Sequence, residues 1–368
     1  MEIDIKRLLE TEDIGHAYKE TELPNCKYLE IKAPLATQFE LTSSCNQRCI
    51  FCYNVWKGIC SKQKAITLSK EKQLKVIDKI IENEIFDIIF SGGEPLLIEW
   101  LEELVEKCSK ARMNISLITN ATLMTRERAK SLKKAGLNDL QISIHDYNSE
   151  INDRLTGLSN AFKKTIEGIK NSLEIFGVEN VNINMVALPE TYKGVYEMAK
   201  FLHSIGVGSL SIGTPSVTGE MKDNKQLVIN KKMFLSIYRQ LRRAKEDFRI
   251  HIGFTGGFPI CLLPEINEET VQMIGNYCDA GLNQVVIGPG GELRPCVCLE
   301  ENLGNILEIN LKDIWNTNKF LLDIRAMKFV PVECRKCEYV SVCRGGCRAS
   351  AKGYFGKINA IDPLMKNE

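Results

Sequence analysis

Cysteine is the residue type that could do chemistry here. Cys45, Cys49 and Cys52 fall in one run, Cys45-Asn46-Gln47-Arg48-Cys49-Ile50-Phe51-Cys52. Thiolates at this spacing are soft ligands for iron or zinc. Three thiolates hold three irons of a [4Fe–4S] cube and leave the fourth open, whereas a structural cluster of this type takes four. An open iron is a position at which something can bind, so the triplet points to a cluster that reacts. A zinc knuckle, or a set of plain buried cysteines, is the bland reading of the same spacing.

The rest of the composition narrows the class. The 368 residues suffice for two or three domains with a sizeable core. Hydrophobic residues make up 44% and charged residues 26%, as in an ordinary globular protein. A formal net charge of +1 leaves no electrostatic footprint for nucleic acid or an anionic membrane. No apolar run reaches the roughly 18 residues of a membrane span. The charged N-terminus, Met1 to Arg7, lacks the apolar core of a signal peptide, so a cytoplasmic location is expected. Fourteen cysteines without a signal peptide are hard to read as disulfides. Many lie in two groups: the triplet, and a second field of Cys296, Cys298, Cys334, Cys337, Cys343 and Cys347. Cys26, Cys60 and Cys108 stand apart and read as small buried hydrophobes.

The elements that must position the triplet alternate. Residues 1–35, with prolines at 24 and 34, read as an N-terminal arm. Strand patterns at 38–42, 86–90, 115–119, 140–144, 181–186 and 210–212 are separated by helical patterns at 69–83, 97–110, 126–135, 160–176 and 192–204, and a last helix spans 230–245. Six strand–helix units predict a parallel sheet with helices outside it. Periodicity alone leaves a partial barrel and an open doubly wound sheet both possible. Functional groups of barrels gather at the C-terminal ends of the strands. The cysteine run follows the first strand, Gly92-Gly93-Glu94-Pro95 the second, Asn120 the third, and Ser143 and His145 the fourth, while Asn184 lies late in the fifth. That one-sided placement favours a barrel over residues 36–250. Residues 251–277, with Gly256-Gly257, Pro259 and Pro264, read as a connector to a cysteine-rich domain at 278–368.

The triplet with its aromatic Phe51, followed by Gly92-Gly93-Glu94-Pro95, resembles the radical S-adenosylmethionine (SAM) superfamily. The resemblance implies an α/β fold, a partial (β/α)6 TIM-like barrel. It also implies that SAM chelates the open iron of a [4Fe–4S] cluster held by Cys45, Cys49 and Cys52, and that the reduced cluster cleaves SAM to a 5′-deoxyadenosyl radical. Gly92 and Gly93 let the backbone approach SAM, and Glu94 and Pro95 complete that motif. Asn120 and Ser143 match positions that contact SAM in relatives. Their bland reading is strand-end hydrogen bonding. Arg154, in Asp153-Arg154 followed by Gly157, offers a fork for the SAM carboxylate, with a surface salt bridge as the alternative. Where relatives carry Ser-x-Asp-Gly, this chain has Ser143-Ile144-His145-Asp146.

The second field resembles the SPASM domain, a small α+β extension that holds auxiliary [4Fe–4S] clusters. Cys278 and Cys296, with Gly291 between them, precede Cys334-x2-Cys337-x5-Cys343-x3-Cys347. Gly304-Asn305-Ile306 and Ile314-Trp315 also match. The resemblance implies a first auxiliary cluster on Cys278, Cys296 and Cys347, with Cys261 as its upstream fourth ligand. It implies a second on Cys334, Cys337 and Cys343. The cysteine that usually ends the pattern is missing, because Asp362-Pro363-Leu364 is followed by Met365. The second cluster is therefore expected to have an open iron, to take Cys298, Asp362 or Met365, or to be lost or replaced by zinc.

SPASM relatives mostly oxidise or crosslink peptide side chains, and that is the expected reaction, with a peptide or small protein as partner and an external electron donor of flavodoxin or ferredoxin type. Val297 stands after Cys296 where the sulfatase-maturating branch has an aspartate, which disfavours that activity. Oxidation of a porphyrin side chain or a sugar is the alternative. A non-catalytic iron–sulfur electron carrier would have no use for Gly92–Pro95.

Overall fold

The structure, a computed structural model, describes residues 18–23, 26–56, 65–267, 270, 273 and 278–366, with backbone alone over 18–30. The first part of the N-terminal arm, Cys60, the side chain of Cys26 and most of the C-terminal half of the expected connector lie outside the described residues.

Twelve strands order the description: β1 Tyr18–Leu23, β2 Cys26–Ile31, β3 Ala36–Glu40, β4 Asp87–Ser91, β5 Asn114–Thr119, β6 Asp139–Ser143, β7 Val181–Val186, β8 Ser209–Gly213, β9 His251–Thr255, β10 Gln284–Ile287, β11 Glu292–Arg294 and β12 Gly304–Asn305. β1 and β2 form a separate antiparallel hairpin. The other ten form one sheet in the order β12-β11-β10-β3-β4-β5-β6-β7-β8-β9. From β10 through β9 every neighbouring pair is parallel.

That order decides between the two expected topologies. From β3 to β9 each strand lies beside the next one in sequence, with no reversal. Right-handed crossovers then put every connecting helix on the same face, whereas a doubly wound sheet reverses its order at a switch point. β3 and β9 are not paired, so the barrel is partial.

The helices form where capping residues and apolar spacing agree. α1, Lys70–Glu82, is capped by the Ser69 hydroxyl and buries Val76, Ile77 and Ile80 on one face. α2, Leu101–Lys110, buries Leu101, Leu104, Val105 and Cys108. α3, Arg126–Ala135, runs from a Thr125 cap to Gly136 in the left-handed region. α4, Ser149–Thr156, runs from an Asn148 cap to Gly157 in the same conformation. α5, Ala161–Phe176, α6, Val195–Ser204, and α7, Lys231–Phe248, complete the outer layer.

Alternation along the strands separates two environments. On β7, Val181, Ile183 and Met185 are buried in the core, while Asn182 and Asn184 point to the other face and are half-buried. β6 does the same with Leu140 and Ile142 against Gln141 and Ser143. The inner face is thus a polar surface. Asn182 accepts from Ser209 at 2.8 Å, Asn184 from Thr255 at 3.0 Å, and Gln38 donates to Ser91 at 2.7 Å.

Two strands lie beyond the expected units. β9 falls in the segment read as a connector, and β10 comes from the cysteine-rich part, yet both extend the barrel sheet. β10 pairs with β3 from Gln284 opposite Ala36 to Ile287 opposite Phe39. Beyond it lie α8, Leu311–Thr317, and α9, Lys319–Arg325. Trp315 of α8 is fully buried and donates to the Ile31 carbonyl at 2.8 Å, which fastens this region to the end of the N-terminal hairpin. The chain ends in short pieces, α10 Val340–Cys343 and α11 Arg348–Phe355.

Candidate active site

The run of cysteines has no regular secondary structure, so neighbours must hold it. Gly93 N–H donates to the Thr42 carbonyl at 2.6 Å and Glu94 N–H to the Ser44 carbonyl at 2.8 Å. From the far side of the triplet, Asn54 Nδ2 donates to the Gly92 carbonyl at 2.9 Å. A Cβ on Gly93 would collide with the Ser44 carbonyl, and one on Gly92 would sit 2.6 Å from the Thr42 oxygen. Gly92 also has φ +132°, which disfavours any side chain. The two glycines are therefore demanded by contact with the cysteine loop.

Further supports come from around the barrel. Arg48 N–H donates to the Thr156 carbonyl at 2.7 Å and Ile50 N–H to the Leu155 carbonyl at 3.2 Å. Gly157 lies against Arg48, where a Cβ would be 3.0 Å from the Arg48 oxygen. After β8, Glu220 N–H donates to the Cys52 carbonyl at 3.0 Å and the Thr218 hydroxyl to the Tyr53 carbonyl at 3.0 Å. Amides add a third tie. Asn120 Nδ2 donates to Asn46 Oδ1 at 2.8 Å, Asn46 Nδ2 donates to Thr122 Oγ1 at 2.8 Å, and the Thr122 hydroxyl donates back to Asn120 Oδ1 at 2.7 Å.

Held this way, Cys45, Cys49 and Cys52 are half-buried at the C-terminal end of the strands. The Gln47 N–H donates to Cys45 Sγ at 3.3 Å, and the Cys49 thiol donates to Gln47 Oε1 at 3.5 Å. A donor to sulfur such as the Gln47 N–H tunes an iron–sulfur site.

The residues named from sequence take different places. The Glu94 carboxylate is buried and fully engaged. Oε1 accepts from Thr119 Oγ1 at 2.6 Å and Leu96 N–H at 3.1 Å, and Oε2 accepts from Asn120 N–H at 2.9 Å. Burial pushes its pKa up to about 7 despite those donors. Pro95 starts a single helical turn that Glu94 caps. Phe51 turns inward, with its ring edge-on to His145 at 4.5 Å and packed with Leu155, Leu188 and Met221. Arg154 is exposed and forms an ion pair with Glu190. Ser143 stands half-buried at the end of β6, on the inner face. His145 is buried, which pushes its pKa down to about 3. Nδ1 accepts from Val186 N–H at 3.2 Å, so the neutral ring carries its proton on Nε2.

Sequence reading passed over two groups. One is the rest of the polar inner face: Asn184 was named late on its strand, but Asn182, two residues before it on the same face of β7, was not. The other is a buried ion pair of Glu40, the last residue of β3, with Arg294 of β11. Burial outweighs the arginine and pushes Glu40 up to about 7. No local signal joins residues 254 positions apart. Beside this pair, half-buried Tyr53 has Glu40, Cys298 and Cys52 as neighbours, and burial raises its pKa.

The second cysteine field separates into two sets. Cys296 feels the charges of Cys298, Cys278 and Cys347, and Cys298 that of Cys347. Cys261 instead feels Cys343 and Cys337, as Cys334 feels Cys343, Cys261 and Cys337. The structure thus sets Cys261 beside the thiols expected for the second cluster, and Cys298 beside those expected for the first. Burial, and then the neighbouring thiols, push Cys278 up to about 11 and Cys298 up to about 12. Cys278, Cys296 and Cys298 are thus disfavoured as thiolates unless a cation lies among them, which is the donor chemistry of an iron cluster. Among the described residues no three His, Cys, Asp or Glu side chains converge on a point that would hold a single metal ion. A cubane makes no such demand, because each thiolate binds a different iron.

Comparison with known proteins gives the same two parts. The Radical SAM superfamily model matches residues 39–202, and SPASM, an iron-sulfur cluster-binding domain, matches residues 278–338. A PqqA peptide cyclase of Granulibacter bethesdensis is 24% identical over 340 residues, 90% of this chain and 87% of that protein. An AdoMet-dependent heme synthase of Oleidesulfovibrio alaskensis is 26% identical over 342 residues, 89% of this chain and 85% of that protein. Among solved structures, SuiB of Streptococcus suis bound to the precursor peptide SuiA superposes with a TM-score of 0.73 at 18% identity, over 92% of this chain and 77% of that one. The structure of anSMEcpe with bound AdoMet gives 0.70 at 23% identity, over 90% of both chains. Among the described residues no helix is long and apolar enough to cross a membrane.

Proposed function

Since the chain belongs to the radical SAM superfamily and carries a SPASM iron–sulfur domain, we propose that it reductively cleaves SAM and uses the 5′-deoxyadenosyl radical to oxidise or crosslink a side chain of a peptide or small protein. The observation that carries this reading is the clamp on the cysteine loop. Gly92 and Gly93 on one side and Thr218 and Glu220 on the other hold three half-buried thiols over a polar inner face.

In this reading Cys45, Cys49 and Cys52 hold the reactive cluster, which supplies the electron that breaks the sulfonium bond. The chain's own residues bind, orient and shield. Gly92 and Gly93 bring backbone within reach of the cofactor's methionine end. Ser143 offers a hydroxyl from the inner face. Glu94, Asn120 and Phe51 act through the loop they brace rather than by touching SAM. Arg154, engaged with Glu190 at the surface, reaches SAM only by giving up that pair. The barrel, 36–250, generates the radical, and the region after 278 carries auxiliary clusters that take an electron from substrate. An external flavodoxin or ferredoxin supplies the first electron.

The peptide substrate is supported by the peptide cyclase relatives and the precursor peptide of SuiB. A second reading, oxidation of a small molecule such as a porphyrin side chain, is favoured by the heme synthase relatives. The test is anaerobic incubation of iron-loaded protein with dithionite, SAM and candidate peptides. The expected products are 5′-deoxyadenosine and a peptide lighter by two hydrogens. Absence of 5′-deoxyadenosine would remove the enzymatic reading. Its formation with turnover of a porphyrinogen but no peptide would favour the second.

A further inference from the structure

Resting on the reading of the second cysteine field as an iron–sulfur region, we propose that the outer auxiliary cluster has four cysteine ligands, Cys334, Cys337, Cys343 and, from upstream, Cys261, while Cys278, Cys296 and Cys347 belong to the inner one. This replaces the partition that the resemblance implied, which gave Cys261 to the inner cluster and left the outer one a ligand short.

The segment after β9 makes this possible. It runs as a strap past one thiol set to reach the other. A Cβ on Gly257 would lie 3.5 Å from Cys278 Cβ and 3.6 Å from the Cys347 nitrogen, so the strap begins beside the inner set. Two residues on, Pro259 packs on Gly346, where an added Cβ would be 2.9 Å from its ring. Ile260 N–H then donates to Cys343 Sγ at 3.5 Å, which delivers the adjoining Cys261 to the outer set. Cys261 is an exposed residue, as suits an outer cluster.

The other candidates for the missing position are occupied or misplaced. Both Asp362 oxygens are used, Oδ2 by Cys347 N–H at 2.7 Å and Oδ1 by Leu364 N–H at 2.9 Å. Its carboxylate caps the loop between the two sets. Cys298 is engaged by the hydroxyls of Ser216 and Thr218. The place where the resemblance expects a cysteine after Asp362-Pro363-Leu364, held here by Met365, is thus filled from upstream, by the strap.

The test uses the full chain with Cys45, Cys49 and Cys52 changed to alanine, so that iron reports the auxiliary sites alone and the outcome is independent of SAM cleavage. After anaerobic reconstitution this protein should hold about eight irons, four per cubane. Adding Cys261→Ala should remove about four, or convert one cluster to a three-iron form visible by Mössbauer and EPR spectroscopy. Alkylation of the unmutated chain guards against misfolding of the variant. Cys261 should be protected in iron-loaded protein and labelled at least tenfold faster once a chelator has stripped it. Equal labelling of Cys261 in both states, an unchanged spectrum in the Cys261→Ala variant, or zinc in place of iron would overturn the assignment.

Discussion

The barrel mouth and the cysteine-rich end both gather thiols, but by opposite means. Around Cys45–Cys52 the scaffold does the holding. Backbone bonds from Gly93, Glu94, Arg48, Ile50 and Glu220 and an amide triangle fix the loop, and the strands behind it are buried in a continuous core. Around Cys334–Cys347 the elements are a few residues long, and helices that short have no stability of their own. There one arginine does much of the work. The Arg348 guanidinium donates to the carbonyls of Gly345, Gly346, Phe329, Ile358 and Ala360. The difference predicts a site formed before its metal arrives at the barrel mouth, and at the cysteine-rich end one whose fold depends on its metal.

The largest expected effect tests that difference directly. Iron removal by an anaerobic chelator should raise amide hydrogen exchange over residues 331–366 by orders of magnitude and leave β4 to β8 protected, because binding energy at a site that does not preform is folding energy. Equal protection in both regions would erase the contrast. Next, Gly93→Ala should abolish SAM binding in equilibrium dialysis while the strands keep their circular dichroism, since the added methyl displaces the Ser44 backbone. Arg294→Ala comes third. It strands the Glu40 carboxylate in the core and should cost about 3–5 kcal/mol by denaturant unfolding. Replacing both with leucine and methionine should recover most of the loss.

A smaller effect is a pH dependence. Glu94 titrates at about 7 when folded, against 4.5 for an ordinary glutamate, because burial outweighs the hydrogen bonds from Thr119, Asn120 and Leu96. The folded state therefore prefers the protonated acid. Its contribution is fully present below pH 4.5 and is lost as pH rises through about 7, a slope of at most ~1.4 kcal/mol per pH unit between those values. Replacing Glu94 with glutamine should flatten this part of the pH–stability curve. The smallest effect belongs to Arg154→Ala. Its pair with Glu190 is more than half exposed on the arginine side, so the denaturant midpoint should stay almost unchanged. An unchanged KM for SAM would keep Arg154 out of the site, and a tenfold rise would bring it in.

Much of this was legible in the sequence. The six strands from 36 to 213 and their helices follow from apolar spacing and capping residues such as Ser69, Thr125 and Asn230, all local signals, whereas the short helix Ser149–Thr156 was not foreseen. The triplet and Gly92-Gly93 were legible because backbone contact and metal ligation restrict residue type severely. What was not legible is long-range. β10 looks like any short apolar strand, and only its pairing with β3 makes it part of the barrel. Glu94 reads as a ligand for SAM until Thr119, Leu96 and Asn120 are found on its oxygens. The partner of Cys261 depends on where a glycine- and proline-bearing strap lies, and spacing cannot supply that.

β10 has one more consequence. The strand that flanks β3 is translated almost 250 residues after it, so the ribosome releases the front of the sheet with an open border. Until Gln284–Ile287 arrives, residues 36–40 expose their hydrogen-bonding groups to any passing extended chain. Cutting the gene between its halves would make that waiting state permanent, and the N-terminal fragment should self-associate rather than survive as a working module.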